Sequence, residues 1–206
     1  MATTTIDNET KLSAVNSILG AIGQSPITEL VFTNPEISFI FNLLRDSNVD
    51  VQNEGWHFNT EKHKPFTPDS STKKIAIDNE VLRIDVSEGW ARREYDVVIR
   101  DGKLYDKLDH TDDWSDVTSI DCDVITLYEF EKIPSVFQRY IVYRASRLAA
   151  TQLVANPQLV QLLAQQEGLA RAACMEYECN QSNSSMFGFA DDTVYQTYQP
   201  HRNLRR

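Results

Sequence analysis

Glycine is scarce in this chain and what there is lies scattered. Seven glycines among 206 residues form neither a GxxxxGKS/GxxxxGKT loop nor a GxGxxG loop, so neither familiar phosphate cradle is present. The GxSxG elbow of serine hydrolases is missing as well. Three cysteines, Cys122, Cys174 and Cys179, are too few and too odd a set for a disulfide framework, and they point to folding in a reducing compartment. Cys174 and Cys179 lie five apart on an expected helix. Five steps of about 100° separate their faces, which suits neither a disulfide nor a shared metal. The four histidines, His57, His63, His110 and His201, form no HExxH and have no CxxC beside them. His57 and His63 would bind a metal only with a further ligand from elsewhere; otherwise they are polar residues of a strand and its adjoining turn. No apolar run is long enough to cross a bilayer, and the opening MATTTIDNET has neither the basic region nor the apolar core of a secretion signal. Positive charge is also short: 20 Lys and Arg against 30 Asp and Glu, for a net −10. A surface that wraps nucleic-acid phosphates needs the opposite balance, so the charge reads first as solubility.

What is present is an ordinary globular composition, 41% hydrophobic and 24% charged, long enough for one core and a small satellite. Ile133–Leu153 is the most legible helix: Pro134 fits its first turn, Phe137, Ile141, Ala145 and Leu148 recur at helical spacing, and Arg139, Arg144 and Arg147 fall largely on the other side. Lys11–Ile22 is a shorter amphipathic helix with Leu12, Val15, Ile18, Leu19 and Ile22 inward, capped by Gly23 and stopped by Pro26. Asn34-Pro35-Glu36 starts a helix that should run to Glu54 and stop at Gly55, with Ile37, Ile40, Phe41, Leu44 and Val51 inward. Asn156-Pro157 repeats that start signal. The helix after it is expected to bury Leu159, Leu162, Leu163, Leu169, Ala173 and Tyr177, with Gly168 weakening it by about 1 kcal/mol against Ala.

Between these helices the period changes to two. Strands are expected over Trp56–Phe66, broken by Pro65 and Pro68, then over Lys74–Ile77, Val81–Val86 and Asp123–Phe130. Tyr95–Tyr105 is the clearest hairpin, turning at Asp101-Gly102, a pair suited to a type I′ turn. The fold class is therefore α+β: a bundle of about four helices (11–55 and 133–180), an inserted small antiparallel β module (56–132), an N-terminal arm (1–10) and an extended C-terminal tail (181–206).

Little in the pattern carries chemistry. Asp109, Asp112, Asp113 and Asp116 crowd the loop around Trp114, but the spacing and glycine of a calcium loop are lacking. A solvated acidic loop is the plainer reading. Paired carboxylates for glycoside hydrolysis are available in any chain with thirty acids, so they decide nothing. The tail is more distinctive. Phe187, Phe189, Tyr195 and Tyr198 are spaced along a polar stretch that ends in Arg202, Arg205 and Arg206. It reads either as a soluble end or as a docking arm with aromatic anchors and terminal cations.

Four blocks carry a resemblance. Leu12–Leu30, LSAVNSILGAIGQSPITEL, resembles the opening helix and turn of the tail tubular protein A family, the portal-to-nozzle adaptors (gatekeepers) of short-tailed podovirus-type phages. Gly55-Trp56-His57-Phe58-Asn59 is similar to that family's junction after its second helix. Ile133-Pro134 to Phe137, with Ile141-Val142 and Ala145-Ser146-Arg147, resembles its central helix. Ala170-Arg171 and Cys174–Glu178 resemble the end of its last helix. The blocks lie in the family's order and cover the helical scaffold, whereas the β module matches in outline only and the tail after Asn180 does not align.

The resemblance implies a structural protein rather than an enzyme, with no cofactor and no metal. It implies a homo-oligomeric ring of about twelve copies between portal protein and tail nozzle protein. The ring would support tail fibre protein and help retain the DNA that passes through its lumen. It further implies assembly in the bacterial host cytoplasm and a place in the virion tail, without membrane insertion. Under it, Phe187, Phe189, Tyr195, Tyr198, Arg202, Arg205 and Arg206 are the expected portal contacts, and Asp101, Gly102 and Trp114 the expected nozzle or fibre contacts. The alternative from another class is a tail-borne glycan or peptidoglycan hydrolase, which needs two carboxylates at catalytic separation, one with a raised pKa.

Overall fold

The computed structural model describes residues 10–87 and 94–181. Among them the chain runs α1 (Lys11–Ala21), α2 (Pro35–Asn53), β1 (Thr60–Phe66), β2 (Val81–Val86), β3 (Val97–Arg100), β4 (Lys103–Asp106), β5 (Ile120–Thr126), α3 (Ser135–Ala149) and α4 (Pro157–Gln181). The class is α+β, with four helices and small antiparallel sheets among these residues.

Helix starts follow side-chain chemistry. The Thr10 hydroxyl accepts from Ser13 N–H at 3.2 Å, Asn34 Oδ1 from Glu36 N–H at 3.0 Å, and Asn156 Oδ1 from Gln158 N–H at 3.0 Å. Each satisfies a donor that the first turn leaves without a carbonyl. Pro35 and Pro157 occupy the first helical position, where no N–H is needed. Pro134 differs from expectation: it precedes α3 in an extended conformation, as its N-cap. Helix α3 also ends earlier than its apolar period implies. After Ala149 the backbone widens into a π-helical stretch, Ala150–Val154, closed by Ala155 in the left-handed region at φ 52°.

The bundle core is built mainly from Val15, Ile18, Ile40, Leu44, Val51, Phe137, Tyr140, Ile141 and Ala145. Helix α3 is its centre, packed by α1, α2 and α4. Of the three arginines expected opposite its apolar stripe, Arg139 is exposed, while Arg144 and Arg147 are half-buried and reach the flanking helices.

Helix α4 corrects a second expectation. Its buried positions are Leu163, Ala170 and Cys174, with Tyr177 half-buried. Leu162 and Leu169, expected inside, are exposed, as is Ala173. Leucines at 159, 162, 163 and 169 draw two overlapping helical stripes. The smaller Ala170 and Cys174 choose between them, because they let α4 approach α3 closely. The Arg147–Glu167 and Arg171–Glu54 ion pairs then fix its rotation.

The β module has its own core, including Ile75, Ile77, Ile84, Val86, Leu104, Trp114, Ile120, Cys122 and Val124. Its three-stranded sheet has the order β1-β5-β2, antiparallel throughout, so the last strand in sequence is central in space; β3 and β4 form a separate two-stranded ribbon. The last strand covers Ile120–Thr126, starting and ending earlier than the expected 123–130. Pro65 does not end β1. It sits inside the strand opposite Asp121, tolerated because β1 is an edge and its outer side asks for no donor. The segment 74–77 is not a strand; it meets β4 through one bridge, Ala76 to Lys103, and the Ile75 carbonyl accepts from Leu104 N–H at 3.0 Å. The Asp101-Gly102 turn is as expected, with φ 50° and 69° and Arg100 paired to Lys103.

Candidate functional site

The two cores meet at a polar joint that sequence patterning had not singled out. Both connections between bundle and module pass it. Gln52, fully buried on α2, donates from Nε2 to the Tyr128 carbonyl at 2.8 Å and accepts on Oε1 from Tyr128 N–H, also at 2.8 Å. The same Nε2 donates to Asn48 Oδ1 at 2.9 Å. On the other connection, Asn59 Nδ2 donates to the Gln52 carbonyl at 2.9 Å and Asn59 Oδ1 accepts from Trp56 N–H at 2.8 Å. Trp56 Nε1 donates to the Val51 carbonyl at 2.7 Å. A buried network with its members satisfied specifies one arrangement of the parts it joins. The signal available in sequence was weak: Ser47, Asn48 and Gln52 fall on the buried face of α2, where three polar residues interrupt an apolar stripe.

Gly55 completes the joint. Its φ is +76°, and a Cβ there would stand 2.6 Å from Ile125 Cδ1. The positive φ favours glycine, and any larger residue would also make the end of the Ile125 side chain move. Beside the joint lies a cleft of about 290 Å³ lined by Phe41, Leu44, Leu127 and Phe130, with Lys11 and Glu129 also in its wall.

A charge cluster binds the bundle from outside. Arg144 reaches Asp50 at 3.3 Å, Glu54 at 3.9 Å and the Tyr140 hydroxyl at 3.4 Å. Arg171 on α4 meets the same Glu54 at 2.9 Å.

The residues expected to make contacts fall in different places. Phe187, Phe189, Tyr195, Tyr198, Arg202, Arg205 and Arg206 lie outside the described residues. Asp101 and Gly102 form the exposed tip of the β3–β4 ribbon, where Arg100 stacks on the Tyr105 ring at 4.0 Å from its centroid. Trp114 is not on the surface. It is 3% exposed, its Nε1 donates to the Leu104 carbonyl at 3.0 Å, and Tyr95 packs on it with ring centroids 5.5 Å apart. An aromatic among aspartates reads as exposed, but here the indole plugs the module's core and the acids around it face outward. Trp114, expected as a nozzle or fibre contact, is therefore a core residue that anchors the loop around it.

Three acids of the β module are engaged in structural bonds. Asp69 accepts from the Ser71 hydroxyl and from the Thr72 and Ser71 N–H groups, which holds its carboxyl well below the usual range. Asp112 is lowered by its hydrogen bond from Lys74 at 2.6 Å. Burial acts to raise Asp123, but the Ser87 hydroxyl at 2.6 Å and His63 N–H at 2.9 Å outweigh it and the net direction is down. These shifts run opposite to the raised pKa that a hydrolase's acid needs. His57 and His63 are used through their backbones, His57 N–H donating to Glu178 at 2.8 Å. Among the described residues no cluster of His, Cys, Asp and Glu is placed to hold a metal ion, and no helix is long and apolar enough to cross a membrane.

The family model for Tail tubular protein matches residues 12–184. No curated protein matches the chain.

Proposed function

We propose a role for this chain from the premise that it belongs to the tail tubular protein family. It is a structural component of a phage tail. Within that role we assign it to the adaptor position: a ring of about twelve copies that joins the portal to the tail nozzle, supports fibre attachment, and helps retain and then pass the DNA. The single observation that carries this reading is the family match, which spans α1 to the end of α4 and the whole β module. The architecture supports it. Long helices (11–55 with 133–180) offer lateral packing surface, an inserted module (56–132) offers a second partner a separate face, and the Gln52 joint holds the two in one orientation.

In this role the residues after 181 dock on the portal through Phe187, Phe189, Tyr195, Tyr198, Arg202, Arg205 and Arg206. The Asp101-Gly102 tip meets nozzle or fibre. Each copy carries −10, so a ring of about twelve holds roughly −120, and acidic groups lining the lumen would keep DNA from adhering as it leaves. Assembly takes place in the host cytoplasm before the tail is complete.

The test is the mass of the purified protein in solution, alone and then mixed with the portal protein of its phage. A large ring, or a portal complex of one fixed stoichiometry, is the expected result. A monomer in both cases would sink the adaptor assignment. A chain truncated after Asn180 should keep its fold and lose portal binding; unchanged binding would remove the tail from the docking role.

A further inference from the structure

The stretch from Leu148 to Gln166 contains no ionisable side chain, in a chain of which 24% is charged. It comprises the end of α3, the π-helical turn and the first turns of α4. It also exposes apolar surface: Leu153 and Val154 at the turn are 43% and 41% exposed, and Leu162 on α4 is 59% exposed. Leu169, two helical turns beyond Leu162 on the same line, is 73% exposed. Gly168 lies beside Leu169 on this outer side, and a Cβ there would meet nothing within 4 Å. The chain's own packing does not ask for glycine at a helical position where it costs about 1 kcal/mol against Ala.

A second exposed apolar group stands on another element. In the α1–α2 connection, Val31 and Phe32 are 48% and 54% exposed, and Phe32 rests edge-on against Phe41 with ring centroids 5.0 Å apart. Helix α4 packs chiefly on α3, and this connection packs on α2, so the two groups belong to different parts of the bundle.

We propose that the outer face of α4 around Leu162, Gly168 and Leu169 receives Val31 and Phe32 of a second copy of this chain, as the head-to-tail contact of the ring. The inference rests on the ring reading given above and names its faces. Chemistry selects a second copy as the occupant. Chains of −10 repel one another, and the neutral face is where two copies approach at least electrostatic cost. A cyclic ring needs two unlike complementary faces on each subunit. Here one is an exposed aromatic on a connection, and the other is a helix face carrying two exposed leucines on one line.

Two double variants test it, Leu162→Glu/Leu169→Glu and Val31→Glu/Phe32→Glu, each checked by circular dichroism and thermal unfolding against the wild type. The masses are then measured up to the concentration at which wild type is fully assembled. Each variant alone should fall to the 23.6 kDa of one chain. Mixed in equal amounts they should form a pair containing one of each and grow no further, because each variant retains the face that the other has lost. If glutamate disturbs α4, Leu162→Gln/Leu169→Gln should still weaken assembly at least tenfold. Assembly of either glutamate variant like wild type, or a mixture that stays monomeric, would overturn these faces while leaving the ring intact. A wild type that never exceeds one chain, alone or with portal, would remove the ring itself.

Discussion

Gln52 and Tyr128 are seventy-six positions apart in the chain, yet the side-chain amide of one pairs with the backbone of the other as a neighbouring strand would, with both bonds at 2.8 Å. The pairing fastens the exit from the β module to the helix that precedes its entry. Replacing Gln52 by Leu keeps the bulk and leaves the Tyr128 N–H and carbonyl buried without this partner. We expect a loss of about 3 kcal/mol, read as a fall in Tm of roughly 6–12 °C for a chain of this size. Gln52→Glu keeps the acceptor for Tyr128 N–H but turns an oxygen toward the carbonyl. Its stability should recover as pH falls and the carboxyl takes a proton. A Gln52→Leu variant as stable as wild type would show that the joint is ornamental.

Gly55→Ala should cost about 1–2 kcal/mol, from a left-handed backbone and from the overlap with Ile125 Cδ1. Ile125→Val removes that carbon. The double variant should therefore lose less than the sum of the singles by about 1 kcal/mol. Strict additivity in urea unfolding would assign the whole cost to the backbone.

Acid should act partly through Asp123. Its folded pKa lies below the ordinary 3.8, so the unfolded chain takes up the proton first and the charged form stabilises the fold at higher pH. Asp123→Asn should cost about 1 kcal/mol at pH 7 once solvent screening is counted. The gap to wild type should close as pH drops below the ordinary value and through the folded one. A gap that stays constant from pH 7 to pH 3 would contradict this.

The thiols should divide two to one. Burial, reinforced by Asp121 and Asp123, pushes Cys122 up to about 12, and burial pushes Cys174 to about 12. At pH 8 their thiolate fractions are on the order of one in ten thousand. Cys179 is exposed. Ellman titration of the native protein should give one fast equivalent, and three after denaturation; a second fast equivalent in the native state would mean that α4 opens readily, and a third that the β module's core opens too.

Capping and turn chemistry carried most of the legible fold. Asn34, Asn156, Gly23, Gly55 and the Asp101-Gly102 pair each mark a boundary through one local interaction, and the structure keeps all of them. What failed needed a neighbour. The face of α4 depended on which stripe α3 would accept, the burial of Trp114 on a core drawn from segments forty residues apart, and the tolerance of Pro65 on β1 lying at an edge. Within the candidate site, the hairpin tip was readable and the Gln52 network was not, because a glutamine's value there lies in a backbone seventy-six residues downstream.

The insertion of the β module between α2 and α3 also orders events in time. Phe137, Tyr140 and Ile141, at the heart of the bundle, leave the ribosome only after the whole module has been made. Helices α1 and α2 emerge first with only each other to cover their apolar faces, while β1 to β5 already hold every strand that their own core requires. The module can close as a unit, bringing Tyr128 back to Gln52 and shortening the path that α3 must search. The interval before α3 arrives is then when the nascent chain is most open to a chaperone or to wrong association with another copy.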